Sequence, residues 1–175
     1  TLDNATMTIP NVVYNAASQP ADATVRIGSQ NPLNAGVDYA LEYYTDPEFS
    51  PASQIGVDAV VNAGTYYVKA VGRGSYAGSW TSQSFEIQPA ELTITGGVTI
   101  TSREYDATTA VATDAVVIDA NGLAFEGSKG SDQVTFDTNG ISATYDAAGA
   151  GSRTVYVSGI VLAADNPLSA NYVIA

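Results

Sequence analysis

The residues with chemistry to offer in this sequence are carboxylates and aromatic rings. Its 175 residues include 18 Asp and Glu, 11 Tyr and one Trp, but no His and no Cys. Without those two types there is no Ser-His-Asp triad, no Cys nucleophile, and no imidazole or thiolate to hold zinc, copper or haem. Calcium, which takes hard oxygen ligands, is the one metal the composition allows. Asp119-Ala120-Asn121-Gly122 and Asp137-Thr138-Asn139-Gly140 look like calcium-loop fragments. Neither supplies the alternating acidic positions and distal Glu of an EF-hand loop, and both read more simply as turns, where Asn-Gly tolerates positive φ. An interdomain calcium site at Glu91 or Asp106 has no better support. No cofactor is expected. Two facing carboxylates about 5–9 Å apart could hydrolyse a glycoside, but no pair is marked above the others, so the chain is read as non-enzymatic.

The aromatic residues offer binding instead. Trp80 and Tyr76 sit among Gly72, Gly74 and Gly78, a stretch able to display rings for stacking on sugars; Tyr43 and Tyr44, with Phe49 near Asp46-Pro47, form a second cluster. Trp80, Tyr76, Tyr43 and Tyr44 are therefore the candidate ligand-binding residues, against the competing account that they pack the first domain. Tyr66 leads an inward-facing series with Val68 and Ala70, as a tyrosine corner does, which predicts a hydroxyl bonded back to nearby backbone. Lys69 is the strand candidate for a Lys–Asn amide crosslink. Alternation places it with Tyr67 and Val71, opposite Tyr66 and Val68, so it is expected to face water and form none. Lys129 lies in the turn-like Gly127-Ser128-Lys129-Gly130-Ser131.

Six Lys and Arg against eighteen Asp and Glu give a net charge of −12. Nucleic-acid binders need a basic footprint, so this balance excludes nucleic acid and anionic lipid surfaces as partners. No apolar run approaches the ~20 residues of a spanning helix, so no direct membrane insertion is expected. The sequence opens at Thr1 without Met and reads as a piece of a larger protein.

These side chains must be positioned by strands. Gly and Pro interrupt the chain so often that only Val98 to Asn121 runs beyond about twelve residues without either, which leaves little room for long helices. Period-two alternation recurs: in Val37 to Tyr43, the residues Val37, Tyr39, Leu41 and Tyr43 share one face, with Asp38 and Glu42 on the other. Further strands are predicted at Thr24 to Ile27, Tyr66 to Val71, Ser84 to Ile87, Leu92 to Thr95, Val98 to Thr101, Gln133 to Phe136, Ile141 to Tyr145 and Thr154 to Val157. Turn signals such as Asn34-Ala35-Gly36, Gly72-Arg73-Gly74, Asn139-Gly140 and Asn166-Pro167 separate them. Ala110 to Ala120 is open: its Ala content suits a short helix, and Val116, Val117 and Ile118 argue for strand. Many short strands with regular punctuation indicate an all-β chain built as β-sandwiches.

An internal echo divides the sequence. Tyr14-Asn15 and Tyr105-Asp106 lie 105 − 14 = 91 positions apart, and Asn62 to Val68 corresponds to Ala148 to Val155, each ahead of a Gly. Tyr76 and Tyr172 form a third pair. Gln88-Pro89-Ala90-Glu91 is a short, stiff connector. Two consecutive domains are expected, over residues 1–89 and 90–175.

Those residues carry a resemblance. Val13-Tyr14-Asn15, Asp38-Tyr39, Asn62 to Tyr66, Gly74 to Ser79 and Phe85-Glu86-Ile87 are similar to the MBG-type repeat of bacterial surface proteins. Arg103 to Thr109, Gly130-Ser131-Asp132, Ala148 to Gly159 and Asp165 to Tyr172 resemble its relative, the YDG repeat, although the motif here ends in Ala107 instead of Gly. The resemblance implies immunoglobulin-like β-sandwiches in tandem, as in secreted adhesins of filamentous-haemagglutinin type, and an extracellular location on the bacterial cell surface. It implies a stalk or spacer role in cell adhesion, with neighbouring repeats of the same chain as partners. The alternative is a carbohydrate- or protein-binding module that uses exposed aromatics, with a host glycan or surface protein as partner.

Overall fold

The computed structural model describes residues 1–120 and 122–175; Asn121, and with it part of the expected turn at 119–122, lies outside the described residues. Among the described residues the structure is all-β, with strands and short 3-10 turns, and no helix is long and apolar enough to cross a membrane. The chain divides into two compact units, Thr1–Ala90 and Glu91–Ala175.

The first unit contains β1 (Ala5–Thr8), β2 (Val12–Val13), β3 (Thr24–Ile27), β4 (Tyr39–Tyr44), β5 (Gln54–Ile55), β6 (Gly64–Gly72) and β7 (Trp80–Gln88). A five-stranded sheet runs β2-β7-β6-β4-β5, and β1 pairs with β3. The two long strands β6 and β7 are antiparallel, with Tyr66 opposite Phe85 and Val71 opposite Trp80. Strict alternation follows from the pleat. Tyr66, Val68 and Ala70 of β6 are buried, while Tyr67, Lys69 and Val71 between them are half-buried on the other face. Tyr39 and Tyr43 of β4, Phe85 and Ile87 of β7, Met7 and Val25 of the β1–β3 pair, and Leu2, Tyr14 and Val60 complete the core. The Tyr66 hydroxyl donates to the Asn62 carbonyl at 2.9 Å and its ring stacks on Phe85 at 5.8 Å, the bond back to backbone that its position predicts.

The expected strand over 37–43 begins later than its alternation suggests. Val37 is 69% exposed, because Asn34 and Asp38 close a turn ahead of β4. The Val37 and Asp38 amides donate to the Asn34 carbonyl, and the Asp38 carboxylate accepts the Asn34 amide at 2.8 Å. Side-chain closure of this kind competes with a sheet ladder for the same backbone.

The second unit contains β8 (Ala90–Gly96), apart from its first residue, and β9 (Val98–Ile100), β10 (Val116–Ile118), β11 (Ala124–Glu126), β12 (Phe136–Asp137), β13 (Ser142–Tyr145), β14 (Val155–Ser158), β15 (Val161–Leu162) and β16 (Tyr172–Ile174). They form a three-stranded sheet, β11-β8-β16, and three pairs: β9 with β10, β12 with β15, and β13 with β14. The open stretch 110–120 resolves as a 3-10 turn, Thr113–Ala115, followed by a strand through Val116, Val117 and Ile118, as β-branching favours. The strand expected over 133–136 is confined to Phe136–Asp137, where Phe136 meets Phe125 edge-on at 5.0 Å. Leu92, Val134, Ala143 and Tyr172 are buried. The Tyr172 hydroxyl accepts the Lys129 amide at 2.9 Å and donates to Asp132 at 2.6 Å.

Candidate functional site

The four aromatic candidates of the first unit are not one patch. Tyr43 and Tyr44 are adjacent in β4, so the pleat sends them to opposite faces of the sheet. Tyr43 is buried on the core face and its hydroxyl accepts the Ala21 amide at 3.2 Å. Tyr44 lies on the outer face, where its hydroxyl donates to Glu42 at 2.8 Å. Burial pushes both phenols above their ordinary range, and for Tyr44 the Glu42 carboxylate adds to it.

Tyr44 is buried because the segment after β4 folds back over the outer face. Phe49 stands at φ +54°, an uncommon left-handed position for a bulky residue. Asp46 holds that bend by accepting the Ser50 amide at 3.2 Å and the Ser50 hydroxyl at 2.5 Å. Those bonds hold the Asp46 carboxyl below the usual range, with the Ser50 hydroxyl first. The bend places the Phe49 ring between Tyr44, edge-on at 5.2 Å, and Trp80 at 5.9 Å. Trp80 opens β7 and is 47% exposed. The Lys69 ammonium lies 4.6 Å from its ring centre, a cation–π contact on the outer face. Tyr76 is half-buried in the 3-10 turn Gly74–Tyr76. Its carbonyl accepts the Ser79 hydroxyl at 2.7 Å and lies so near Gly72 that a Cβ there would overlap it. The structure thus brings Trp80, Phe49 and Tyr44 together and leaves Tyr43 in the core.

In the second unit the Tyr105-Asp106-Ala107 motif builds a different feature. The Asp106 carboxylate accepts the Thr108 amide and hydroxyl, both at 2.9 Å, and pairs with Arg103 at 2.5 Å. The Thr108 amide is the leading reason that the Asp106 carboxyl is held below its ordinary range; the Thr108 hydroxyl and the Arg103 charge add to it. Arg103 also donates to the Thr108 carbonyl at 2.6 Å and lies 5.0 Å from the Tyr145 ring centre. Ala107 between them has φ +62°. The corresponding turn of the first unit repeats this geometry: Ala16 has φ +65°, and the Asn15 side chain accepts the Ala17 amide at 2.9 Å. Tyr14 is buried, whereas Tyr105 is 66% exposed. The difference has a local cause. Tyr14 directly follows β2 and donates its amide to Gln88 of β7, while residues 101–106 join no strand.

Beside this turn lies a cleft of about 310 Å³, lined by Arg103, Tyr105, Asp106, Tyr145, the loop Ala147–Gly151 and Arg153. Arg153 braces that loop, donating to the carbonyls of Gly149 at 2.7 Å and Ala150 at 3.2 Å. Neither arginine stands out in the sequence as a binding residue. The only signal is that Arg153 closely follows a Gly- and Ala-rich turn, Ala147 to Gly151. Among the described residues no group of three or more carboxylates could hold a metal ion.

A family model described as the YDG domain matches residues 88–175. No curated protein and no solved structure matches the chain.

Proposed function

The chain belongs to the YDG domain family, and from that premise we propose that it is a non-catalytic segment of a bacterial cell-surface adhesin, acting outside the cell as a spacer repeat. In this reading residues 1–89 form an MBG-like immunoglobulin-type sandwich, residues 90–175 a YDG-like one, and neighbouring repeats of the same chain are the partners. One observation carries it: the same turn, with a side-chain oxygen of Asn15 or Asp106 capping the amide two residues on and Ala16 or Ala107 left-handed, recurs in both units. A chain of dissimilar, single-use domains has no reason to repeat that device; a tandem array does. The acidic surface suits a crowded array because like-charged neighbours stay soluble and apart.

Small-angle scattering of the 175-residue chain tests the spacer reading. A compact globule of this length has a radius of gyration of about 16 Å. A spacer requires a clearly larger value, and one near 16 Å refutes it. The second reading, a carbohydrate- or protein-binding module, is favoured by one observation, the half-exposed Trp80 beside Phe49 and Lys69. A screen against arrayed glycans and host extracellular proteins, with Trp80→Ala as control, tests it. A saturable hit lost in the folded variant supports the module, and the absence of any hit removes it.

A further inference from the structure

The cleft beside Tyr105 gathers two of the second unit's three cations and sets them against two carboxylates, Glu104 and Asp106. Residues 91–175 hold ten carboxylates and three cations, and two of those cations, Arg103 and Arg153, line this one cleft. Their states differ. Arg103 is neutralised by Asp106, the one ion pair among the described residues. Arg153 has no carboxylate partner there and bonds only to the carbonyls of Gly149 and Ala150, so its charge is unspent. A guanidinium carries five donors in a planar fork, and these two bonds use Nε and Nη2, leaving Nη1 open.

The loop held by Arg153 adds donors. Among the described residues, none of the amides from Ala147 to Gly151 donates within the fold. Ser102 and Tyr105 bring hydroxyls, and Tyr105 brings a ring that is 66% exposed. The charged acceptors on the cleft wall are two carboxylates, Asp106, already engaged, and Glu104. Donor excess, one unpaired guanidinium and an exposed ring call for a ligand with a carboxylate and a flat apolar face. A cavity of about 310 Å³ holds a single sugar residue but not a long oligosaccharide.

We propose that this cleft binds the carboxylate-bearing residue of an acidic glycan, a uronate or a sialate, with Arg153 taking the carboxylate and Tyr105 stacking on the sugar ring. Glu104 opposes the ligand and limits its affinity. Because the site lies within the second unit, the proposal stands whether or not the chain is a spacer.

Titration of the labelled 175-residue chain with methyl galacturonide and methyl galactoside, followed by amide NMR shifts, tests this directly. The two probes differ by one carboxylate. Saturable shifts at residues 102–108 and 147–153 are expected with the galacturonide, at least about tenfold tighter than with the galactoside. Arg153→Gln should abolish them. Since Arg153 also braces the loop, Arg153→Lys and the surface substitution Tyr105→Ala serve as further variants: the first retains charge and part of the affinity, the second weakens binding several-fold with the fold intact. Glu104→Gln should tighten binding, and added salt should weaken it. Equal affinity for the two glycosides overturns the proposal, as does failure of the galacturonide to saturate at roughly ten times a millimolar dissociation constant. Acetate binding as tightly as the galacturonide overturns the sugar half of it.

Discussion

Replacing Ala107 with Gly should stabilise the second unit. Ala107 is exposed and sits at φ +62°, where the YDG motif has the glycine that this chain lacks. A left-handed backbone costs an L-residue roughly 1–2 kcal/mol through the clash of Cβ with the carbonyl oxygen. Gly removes that cost but loses about 0.4–1 kcal/mol through the greater freedom of its unfolded chain. The difference leaves a gain of about 0.8 kcal/mol, with no packing term because the methyl group is in water. In a unit of about 85 residues this raises the melting temperature by roughly 3–6 °C. Calorimetry reads the effect, and fluorescence of Trp80, the only Trp and a member of the first unit, is the internal control. The second-unit transition should move while the fluorescence midpoint stays in place. Ala16→Gly should do the reverse. If Ala107→Gly lowers the melting temperature or leaves it unchanged, the turn is not strained as described and the reasoning fails. Ala107→Val, which adds β-branching to a left-handed residue, should destabilise.

Tyr66→Phe removes the bond to the Asn62 carbonyl and should cost about 1 kcal/mol in urea unfolding of the first unit; no loss would mean the hydroxyl is not the anchor of β6. Gly72→Ala drives a methyl into the Tyr76 carbonyl and should destabilise by about 1–3 kcal/mol, measured as a lower urea midpoint. The turn before Trp80 would then have to open, visible as a shift in its emission. At high pH, Tyr39, Tyr43, Tyr44 and Tyr66 all have folded pKa values raised by burial, so they bind their protons more tightly folded than unfolded. Their stabilisation is complete below the unfolded value near 10 and is lost as pH rises through the folded values, so alkaline melts should fall above about pH 10; a flat profile there would show that the phenols are not buried. At low pH the depressed carboxyls of Asp46 and Asp106 act with opposite sign. Their contribution is present above the unfolded value of about 3.9 and lost as pH falls through the folded values, and Asp106→Asn should flatten that acid limb for the second unit.

Much of this architecture is local, and local patterns are legible. Thr24–Ile27 is a strand with the predicted bounds, and the alternation around Tyr66 correctly separates Val68 and Ala70 from Lys69, because side-chain direction in a strand depends only on position parity. Tyr66 could be assigned its backbone bond for the same reason: the partner is four residues away. The YDG resemblance could be read from short cues in order along the chain, a linear property, and a YDG family model matches residues 88–175.

The candidate sites depend on what the chain brings together from afar, and parity is silent on that. Tyr44 and Trp80 are joined only because Phe49 adopts a left-handed backbone that no local preference for Phe would suggest. Val37 has the pattern of a strand residue yet is exposed, because the Asn34 and Asp38 side chains claimed its backbone first. Tyr14 and Tyr105 each lead into the same kind of turn, Asn15-Ala16 and Asp106-Ala107, and differ in burial, since only one of them follows a strand that found a partner. The cleft of the second unit needs residues 102–108 and 145–153 on one wall, more than thirty positions apart. The sequence by itself determined an all-β chain, the faces of its longer strands and the YDG kinship of residues 88–175; the tertiary structure alone decided which rings and charges meet. Strand direction is set residue by residue by the pleat, but the meeting of distant segments is set by the packing of the whole unit.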